Sequence, residues 1–178
     1  MKLIGLVALA MVSTVSSAMA QTPSLGAAPP QTDWGTFKFD ATTGTTNGIV
    51  AGQIDSVLKV LPSILKDLGI ETKGLDLAAT KLTIPRQKAY RTLGKDRVSK
   101  SLGCGDGLTG PNADNYYVYL RLQIALSPLP DSRTSLAMAF GGEAVDIPGG
   151  QTERVACAST GDFERRLAKR LQLKFLLP

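Results

Sequence analysis

The chain has 178 residues, with 20 Lys and Arg side chains against 15 Asp and Glu, and it contains no histidine. An apolar fraction of 43% and a charged fraction of 20% are typical of a soluble globular domain and exclude a disordered chain. Two cysteines are too few for a small disulfide-rich scaffold. The lack of histidine excludes histidine-based catalytic triads, histidine metal ligands and the usual pH-sensing side chain.

The N-terminus has the pattern of a secretory signal peptide over residues 1–20. Lys2 supplies the positive charge, residues 3–12 are apolar, and Ala20 ends an Ala-Met-Ala cleavage motif. The apolar stretch is much shorter than the ~20 residues of a membrane-spanning helix, and no later segment is apolar enough to span a bilayer. We therefore expect cleavage between Ala20 and Gln21 and a periplasmic or secreted protein without a transmembrane segment.

The remaining chain is predicted to form one domain with a single disulfide. Residues 21–33 are rich in Pro, Ala and Thr, which predicts a flexible leader before a domain over residues 34–178. Export implies an oxidising compartment, so Cys104 and Cys157 are expected to pair, closing a loop of 53 residues. A redox-active pair normally has the close C-x-x-C spacing that is absent here. Two free thiols are the other alternative.

Two amphipathic helices are predicted. In the first, apolar residues recur with helical spacing from Ile54 to Leu68. Pro62 is expected to kink that helix, and Gly69 is placed to end it in a left-handed conformation. The second helix begins near Ser159, which resembles the start of a capping box with Asp162. In that helix four apolar side chains recur every fourth residue, and basic residues occupy the solvent side: Phe163, Leu167, Leu171, Phe175; Arg165, Arg166, Lys169, Arg170.

Alternation of apolar and polar residues predicts the strands. The strongest strand covers residues 116–126, where Tyr117, Tyr119 and Arg121 lie on the face opposite to Val118. Residues 134–145 are predicted to return beside it, with a bulge at the glycine pair 141–142. The other predictions are a strand over 34–40, a turn over 43–48, strand pieces at 75–77, 82–84 and 154–157, a basic loop with a short helix over 86–102, an irregular loop over 103–115, and turns over 128–133 and 147–151.

Together these elements predict an α+β fold in which an antiparallel sheet packs on a long N-terminal helix and a C-terminal helix. The order of residues 49–70 and 159–175, with Ser-Thr-Gly opening an Arg-rich final helix, resembles helix-grip domains of the outer-membrane assembly lipoprotein C family. The resemblance implies a helix-grip fold. The chain departs from that family because the lipid-attachment cysteine directly after the cleavage site is missing and because it has the Cys104 and Cys157 pair. The family's membrane-anchored role is therefore not carried over.

Two basic groups are candidates for contact with an anionic surface. For an exported protein the expected partner is an envelope protein or an anionic envelope surface, and not nucleic acid. The alternative is that both groups are simply solvated. Four aromatic residues are candidates for a ligand groove or a sugar-stacking surface, with packing within the sheet as the alternative: Trp34, Tyr116, Tyr117 and Tyr119. The basic candidates are Arg86, Lys88 and Arg91 in the first group and Arg165, Arg166, Lys169 and Arg170 in the second.

The leading functional prediction is an exported, non-catalytic protein that acts through protein–protein or envelope-surface contacts. The second is a module that binds a hydrophobic or amphipathic small molecule between helix and sheet. The third is a carboxylate-based hydrolase, since no motif of a nucleophilic enzyme occurs. No cofactor or metal is predicted, and the oligomeric state is open. The residues predicted to line a small-molecule cavity are Leu58, Leu61, Leu65, Leu120 and Ile124, and oxygen donors at Asp106, Asn112, Asp114 and Asn115 fit no EF-hand.

Overall fold

The computed structural model describes residues 37–40, 44–73, 80–146 and 154–176. Its elements in chain order are β1 (Phe37–Asp40), β2 (Thr45–Val50), α1 (Ile54–Asp67), β3 (Lys81–Tyr90), β4 (Thr92–Leu93), β5 (Asp96–Arg97), α2 (Val98–Ser101), β6 (Leu102–Gly103), β7 (Asp106–Gly107), β8 (Gly110–Pro111), α3 (Asn112–Asn115), β9 (Tyr117–Leu129), β10 (Arg133–Val145), β11 (Arg154–Ser159) and α4 (Asp162–Leu176).

The fold is α+β, as predicted, with a large antiparallel sheet and a helix on both the N-terminal and the C-terminal side. The strands run in the order β1-β2-β10-β9-β3, and β11 pairs with β10 beyond the end of β2. Strands β9 and β10 have 13 residues each and pair along their whole length. This long central hairpin determines which outward-facing side chains become neighbours.

Helices α1 and α4 both pack on one face of the sheet, which we call the inner face. Every second residue of β9 from Val118 to Leu126 is buried against them, and the residues between are half-buried or exposed. On α4, Phe163 stacks on Phe140 of β10 with 4.3 Å between ring centroids. The predicted alternation of β9 is therefore confirmed, and it places Tyr117 and Tyr119 on the opposite, outer face.

Helix α1 ends as its sequence predicts. The helix continues through Pro62, and Gly69 follows it with φ +87°. The backbone N–H of Ile70 donates to the carbonyl of Leu65 at 2.9 Å, and both side chains are buried. A Cβ on residue 69 would lie 2.1 Å from the backbone nitrogen of Gly94, so the close packing of two chain segments also requires glycine here.

The turn predicted over residues 43–48 is wrong for residues 45–48, which belong to β2. Their Thr, Asn and Gly residues are typical of turns, but β2 is paired on both sides, with β1 and with β10. Gly48 is required within the strand because a Cβ there would overlap the ring of Phe37, at 2.1 Å. Tertiary pairing overrides the local preference of these residues.

The loop predicted over residues 86–102 is wrong at its start. Strand β3 continues past Pro85 to Tyr90, and the register with β9 shifts between Ile84 and Gln87. Pro85, which has no N–H, lies at this irregularity, where a ladder hydrogen bond is not needed. The short helix predicted in this segment is α2.

The bulge predicted at the glycine pair of β10 is absent from the described pairing. The register with β9 is unbroken from Arg133 to Val145. A Cβ on Gly142 would lie 2.6 Å from the carbonyl oxygen of Tyr119, so close strand packing accounts for this glycine. At this point β10 also exchanges β2 for β11 as its neighbour.

The remaining differences are local. The irregular loop predicted over residues 103–115 contains the β7–β8 hairpin and the short helix α3. The turn predicted over 128–133 is narrower because β9 reaches Leu129. The capping box is wrong, because the Ser159 hydroxyl accepts from the N–H of Gly161 at 3.0 Å and donates to Glu164 at 2.8 Å. The predictions for residues 1–36, which include the signal peptide and the leader, and those for 75–77 and 147–151 lie outside the described residues.

Candidate functional site

The outer face of the sheet carries the main concentration of charged and aromatic side chains that the sequence predicted. In the described part of the chain no helix covers this face, since α1 and α4 both lie on the inner one. Tyr119 of β9 stands opposite Lys88 of β3 and Glu143 of β10. We call the group around this row the basic–aromatic face; its members are Arg86, Lys88, Tyr90, Tyr117, Tyr119, Arg121, Glu143 and Arg154.

Glu143 is the centre of the basic–aromatic face. Its carboxylate accepts hydrogen bonds from Arg121 and from Arg154, the latter at 2.9 Å, and Arg86 lies 3.8 Å away. The hydrogen bond from Arg154 holds the pKa of Glu143 below its usual range, and the three guanidinium charges act in the same direction. Since three cations surround one anion, the cluster keeps an excess of positive charge.

The tyrosines of this face hold cations and do not form an open groove. The guanidinium of Arg86 lies 4.0 Å from the ring centroid of Tyr119, and the ammonium of Lys88 lies 4.3 Å from that of Tyr117. Tyr90 packs against Tyr117 with 4.8 Å between centroids. Cations thus contact the ring faces that a sugar would need for stacking.

The other aromatic and turn candidates lie apart from this cluster. Tyr116 packs against the hydrophobic core, and Trp34 lies outside the described residues. Arg91 lies in the turn after β3 with φ +62°, and its guanidinium is 5.1 Å from the ring of Tyr90. Arg91 therefore borders the basic–aromatic face at one end.

The second predicted basic group lies on α4, on the other side of the sheet. Arg165 pairs with Asp162, and Arg170 pairs with Asp67 of α1 at 2.9 Å. Lys169 is exposed. These cations and those of the basic–aromatic face cannot contact one flat partner together, because the sheet separates them.

Two acidic residues from different parts of the chain share one arginine. Asp96 and Asp162 both pair with Arg166, whose Nε lies 2.9 Å from Asp162. The pKa of Asp96 is lowered, first by its hydrogen bond from Lys100. A general acid of a hydrolase needs the opposite shift. The carboxylate-based hydrolase therefore gains no support from this pair.

The five predicted cavity residues do come together. Leu61, Leu65, Leu120 and Ile124 are fully buried in the hydrophobic core, and Leu58 packs against it half-buried. Of these five residues only Ile124 lines a groove described below, and that groove lies on the outer face, so binding of a small molecule between helix and sheet stays a prediction. Native mass spectrometry of protein purified without denaturation tests it, because a bound molecule adds mass that is lost on denaturation.

Two grooves are formed by described residues. One, of about 300 Å³, lies between α1 and α4 and is lined by Ile64, Asp67, Arg170, Leu173 and Lys174. The other, of about 210 Å³, is a hollow on the outer face that continues the basic–aromatic face along β9 beyond Arg121. Its lining residues are Thr45, Asn47, Lys81, Gln123, Ile124, Ala125, Ala137, Met138 and Ala139. A volume below the ~300–1,000 Å³ of typical ligand pockets suits a side chain of a partner better than a whole small molecule.

The oxygen donors near the disulfide serve the fold. Cys104 and Cys157 are bonded, as predicted. Asp114 accepts from the backbone N–H and the hydroxyl of Ser99, at 2.9 and 2.7 Å, and Asn112 donates to the carbonyl of Cys104 at 3.2 Å. Among the described residues no three His, Cys, Asp or Glu side chains converge as a metal site would require.

Sequence reasoning missed two acidic residues. Glu143 was one acid among several scattered ones, and only the register of β10 on β9 and β11 brings it to the arginines. The charge of Glu164 suits the first turn of a helix, but its side chain is fully buried. One sequence signal for Glu164 exists, because it follows Phe163 and precedes Leu167 near the apolar stripe of the helix.

No family model matches the chain, and no curated protein matches its sequence. None of the described helices combines the length and apolar character needed to cross a membrane.

Proposed function

We propose that this protein is an exported, non-catalytic binding protein whose basic–aromatic face docks on an acidic surface of another envelope protein. The observation that carries the proposal is the set of three arginines around Glu143, on a sheet face that none of the described helices covers. Their excess positive charge favours an anionic partner, because complementary charge speeds association and fixes the register of an interface.

A protein partner suits this face better than a membrane. Arginine and tyrosine are the residues enriched at the centres of protein interfaces. Peripheral membrane binding also uses large apolar side chains that enter the bilayer. On the side of Arg121 away from Tyr119, the next outer-face residues of β9 are instead Gln123 and Ala125, which are polar or small. A second copy of this face is an unsuitable partner, because like charges would meet.

Export is the other part of the proposal. The sequence of residues 1–20 and the bond between Cys104 and Cys157 support it, since disulfides persist in oxidising compartments. N-terminal sequencing of protein from the periplasmic or extracellular fraction should begin at Gln21. Protein found only in the cytoplasm, with its initial residues retained, would contradict the proposed location.

Binding is tested with a labelled oligoglutamate peptide as a probe for an acidic protein surface. Arg121→Glu should weaken binding about tenfold, a loss of ~1.4 kcal/mol, at physiological ionic strength. Lys169→Glu is the matched control, because it makes the same charge change at an exposed residue of α4, on the other side of the sheet. We expect it to change the Kd less than about twofold, since exposed charges beyond a Debye length of ~8 Å are screened.

Two outcomes would contradict the proposal. Equal losses for Arg121→Glu and Lys169→Glu would mean that only the net charge attracts the probe. Binding to vesicles that contain phosphatidylglycerol, without binding to the peptide, would make a lipid surface the partner. Chemical denaturation of both variants checks that neither loss arises from unfolding.

A further inference from the structure

We propose, on the basis of the binding function above, that Arg86, Arg121 and Arg154 form a carboxylate-binding site in which Glu143 is an intramolecular competitor. In the unbound protein Glu143 occupies the site. A carboxylate of the partner, from an Asp or Glu side chain or a chain terminus, shares or takes over these guanidinium groups when the partner docks.

The geometry of the four side chains supports this assignment. They come from four neighbouring strands, β3, β9, β10 and β11, which are held in fixed register around Tyr119 and Glu143. The carboxylate receives one hydrogen bond from Arg121 and one from Arg154, and Arg86 stays within ion-pair distance. A carboxylate is thus the group that this arrangement of guanidinium forks already holds.

The arginines have further N–H donors that Glu143 does not use and that a second carboxylate can accept from. A guanidinium carries five N–H donors, and Glu143 uses one from each of two arginines. The side chains of Arg86, Arg121 and Arg154 are 49%, 67% and 60% exposed, against 20% for Glu143. The guanidinium groups are therefore the accessible part of the cluster, and Glu143 lies beneath them.

Competition follows from charge. Because the arginines keep Glu143 ionised, its negative charge opposes any carboxylate that approaches the same donors. The site is therefore weaker for carboxylates than three unpaired arginines would be. Such a built-in competitor favours partners that present several carboxylates, because these also reach Lys88 and Arg91 beside the site.

The first test compares Glu143→Gln with Asp131→Asn. Both remove one negative charge, but Asp131 is 81% exposed in the β9–β10 turn and pairs with Arg133 at 3.6 Å. Glu143→Gln should tighten binding of the oligoglutamate peptide about tenfold, and Asp131→Asn less than about twofold. Equal effects of the two variants, or weaker binding by Glu143→Gln, would overturn the proposal.

The second test needs no partner. In Glu143→Ala the vacated site should take up acetate, which stabilises the folded protein by mass action. We expect the Tm to rise by about 1–2 °C in sodium acetate, compared with sodium chloride at equal ionic strength, once acetate reaches its Kd. Asp131→Ala should have the same Tm in both salts. Equal Tm values in acetate and chloride for Glu143→Ala would overturn the proposed site.

The two tests separate the site from the proposed function. If acetate stabilises Glu143→Ala but Arg121→Glu binds the peptide as tightly as the unmodified protein, the site stands and the docking function fails. If Arg121→Glu loses binding and neither Glu143 variant behaves as expected, the docking function stands and the competitor fails.

Discussion

At the scale of single residues, Glu164 has an unusual environment for a carboxylate. It lies in the first turn of α4 with no exposed surface. One carboxylate oxygen accepts from the Ser159 hydroxyl at 2.8 Å, and the other has no hydrogen-bond partner among the described residues. Burial raises the pKa of Glu164 to about 7 from an ordinary value of 4.5, although the Ser159 hydrogen bond opposes the shift. Near neutral pH this side chain changes between its neutral and charged forms.

The raised pKa of Glu164 predicts a pH-dependent stability. The folded protein holds the proton of Glu164 more tightly than the unfolded chain does, and this stabilises the folded state. This stabilisation is fully present below the unfolded-state pKa, near 4.5, and is lost as the pH rises through about 7. At pH 8 the ionised side chain should lower the free energy of unfolding by roughly 3 kcal/mol relative to acid conditions. Glu164→Gln, which has no titrating group, should reduce this pH dependence and be more stable than the unmodified protein at pH 8.

Urea denaturation at pH 5 and pH 8 measures both effects. Glu71→Gln is the control, because Glu71 is exposed and the same change in charge is made outside the core. A free energy of unfolding with the same pH dependence in Glu164→Gln and in the unmodified protein would show that Glu164 stays ionised when buried.

At the scale of elements, helix α1 depends on one apolar stripe. Val57, Leu61 and Leu65 are fully buried, whereas Leu58 is half-buried at the edge of the stripe. The period of 3.6 residues predicts this face from the sequence, and packing on the sheet supplies most of the stability of a 14-residue helix. Core substitutions in α1 should therefore act in proportion to burial.

Leu61→Ala should lower the free energy of unfolding by about 2–5 kcal/mol, because it removes buried surface and leaves a cavity. Leu58→Ala makes the same chemical change at a half-buried position and should cost clearly less. Chemical denaturation measures both. A loss under about 0.5 kcal/mol for Leu61→Ala would place Leu61 outside a close-packed core.

At the scale of the whole molecule, the disulfide joins two distant parts of the chain. Cys104 lies just before the β7–β8 hairpin, and Cys157 lies in β11, 53 residues later. Beside it, β6 pairs with β11 through Leu102 and Ser159. The bond thus closes a loop that contains β9 and β10 and restricts the unfolded chain most strongly around the central hairpin.

Replacing both cysteines by serine should lower the free energy of unfolding by roughly 4 kcal/mol, from the entropy of a closed loop of this length. The measurement is chemical denaturation of the oxidised protein and of the Cys104→Ser/Cys157→Ser variant. Denatured protein from an oxidising compartment should show no alkylatable thiol. Two reactive thiols in that sample would contradict the bond.

The sequence alone determined the fold class, the two main helices, the two faces of β9 and the cysteine pair. These features depend on local period or on elimination, since only one pairing of two cysteines exists. Alternation placed Arg121 with Tyr117 and Tyr119, which is half of the basic–aromatic face. Local preference failed where tertiary pairing overrode it, in β2, which is paired on both sides, and in the second half of β3, which is paired with β9.

Only the tertiary structure decided the partners and the burial of the acidic residues Glu143 and Glu164. Glu143 is separated by 57 residues from Arg86 and by 22 from Arg121, and strand register alone makes them neighbours. Glu164 follows Phe163 near the apolar stripe of α4, but only the fold shows that its carboxylate is fully buried, with one oxygen lacking a partner among the described residues. The sequence gives the type of each ionisable side chain. Its partners and its pKa depend on distances across the fold, and these distances are set only once the strands have paired.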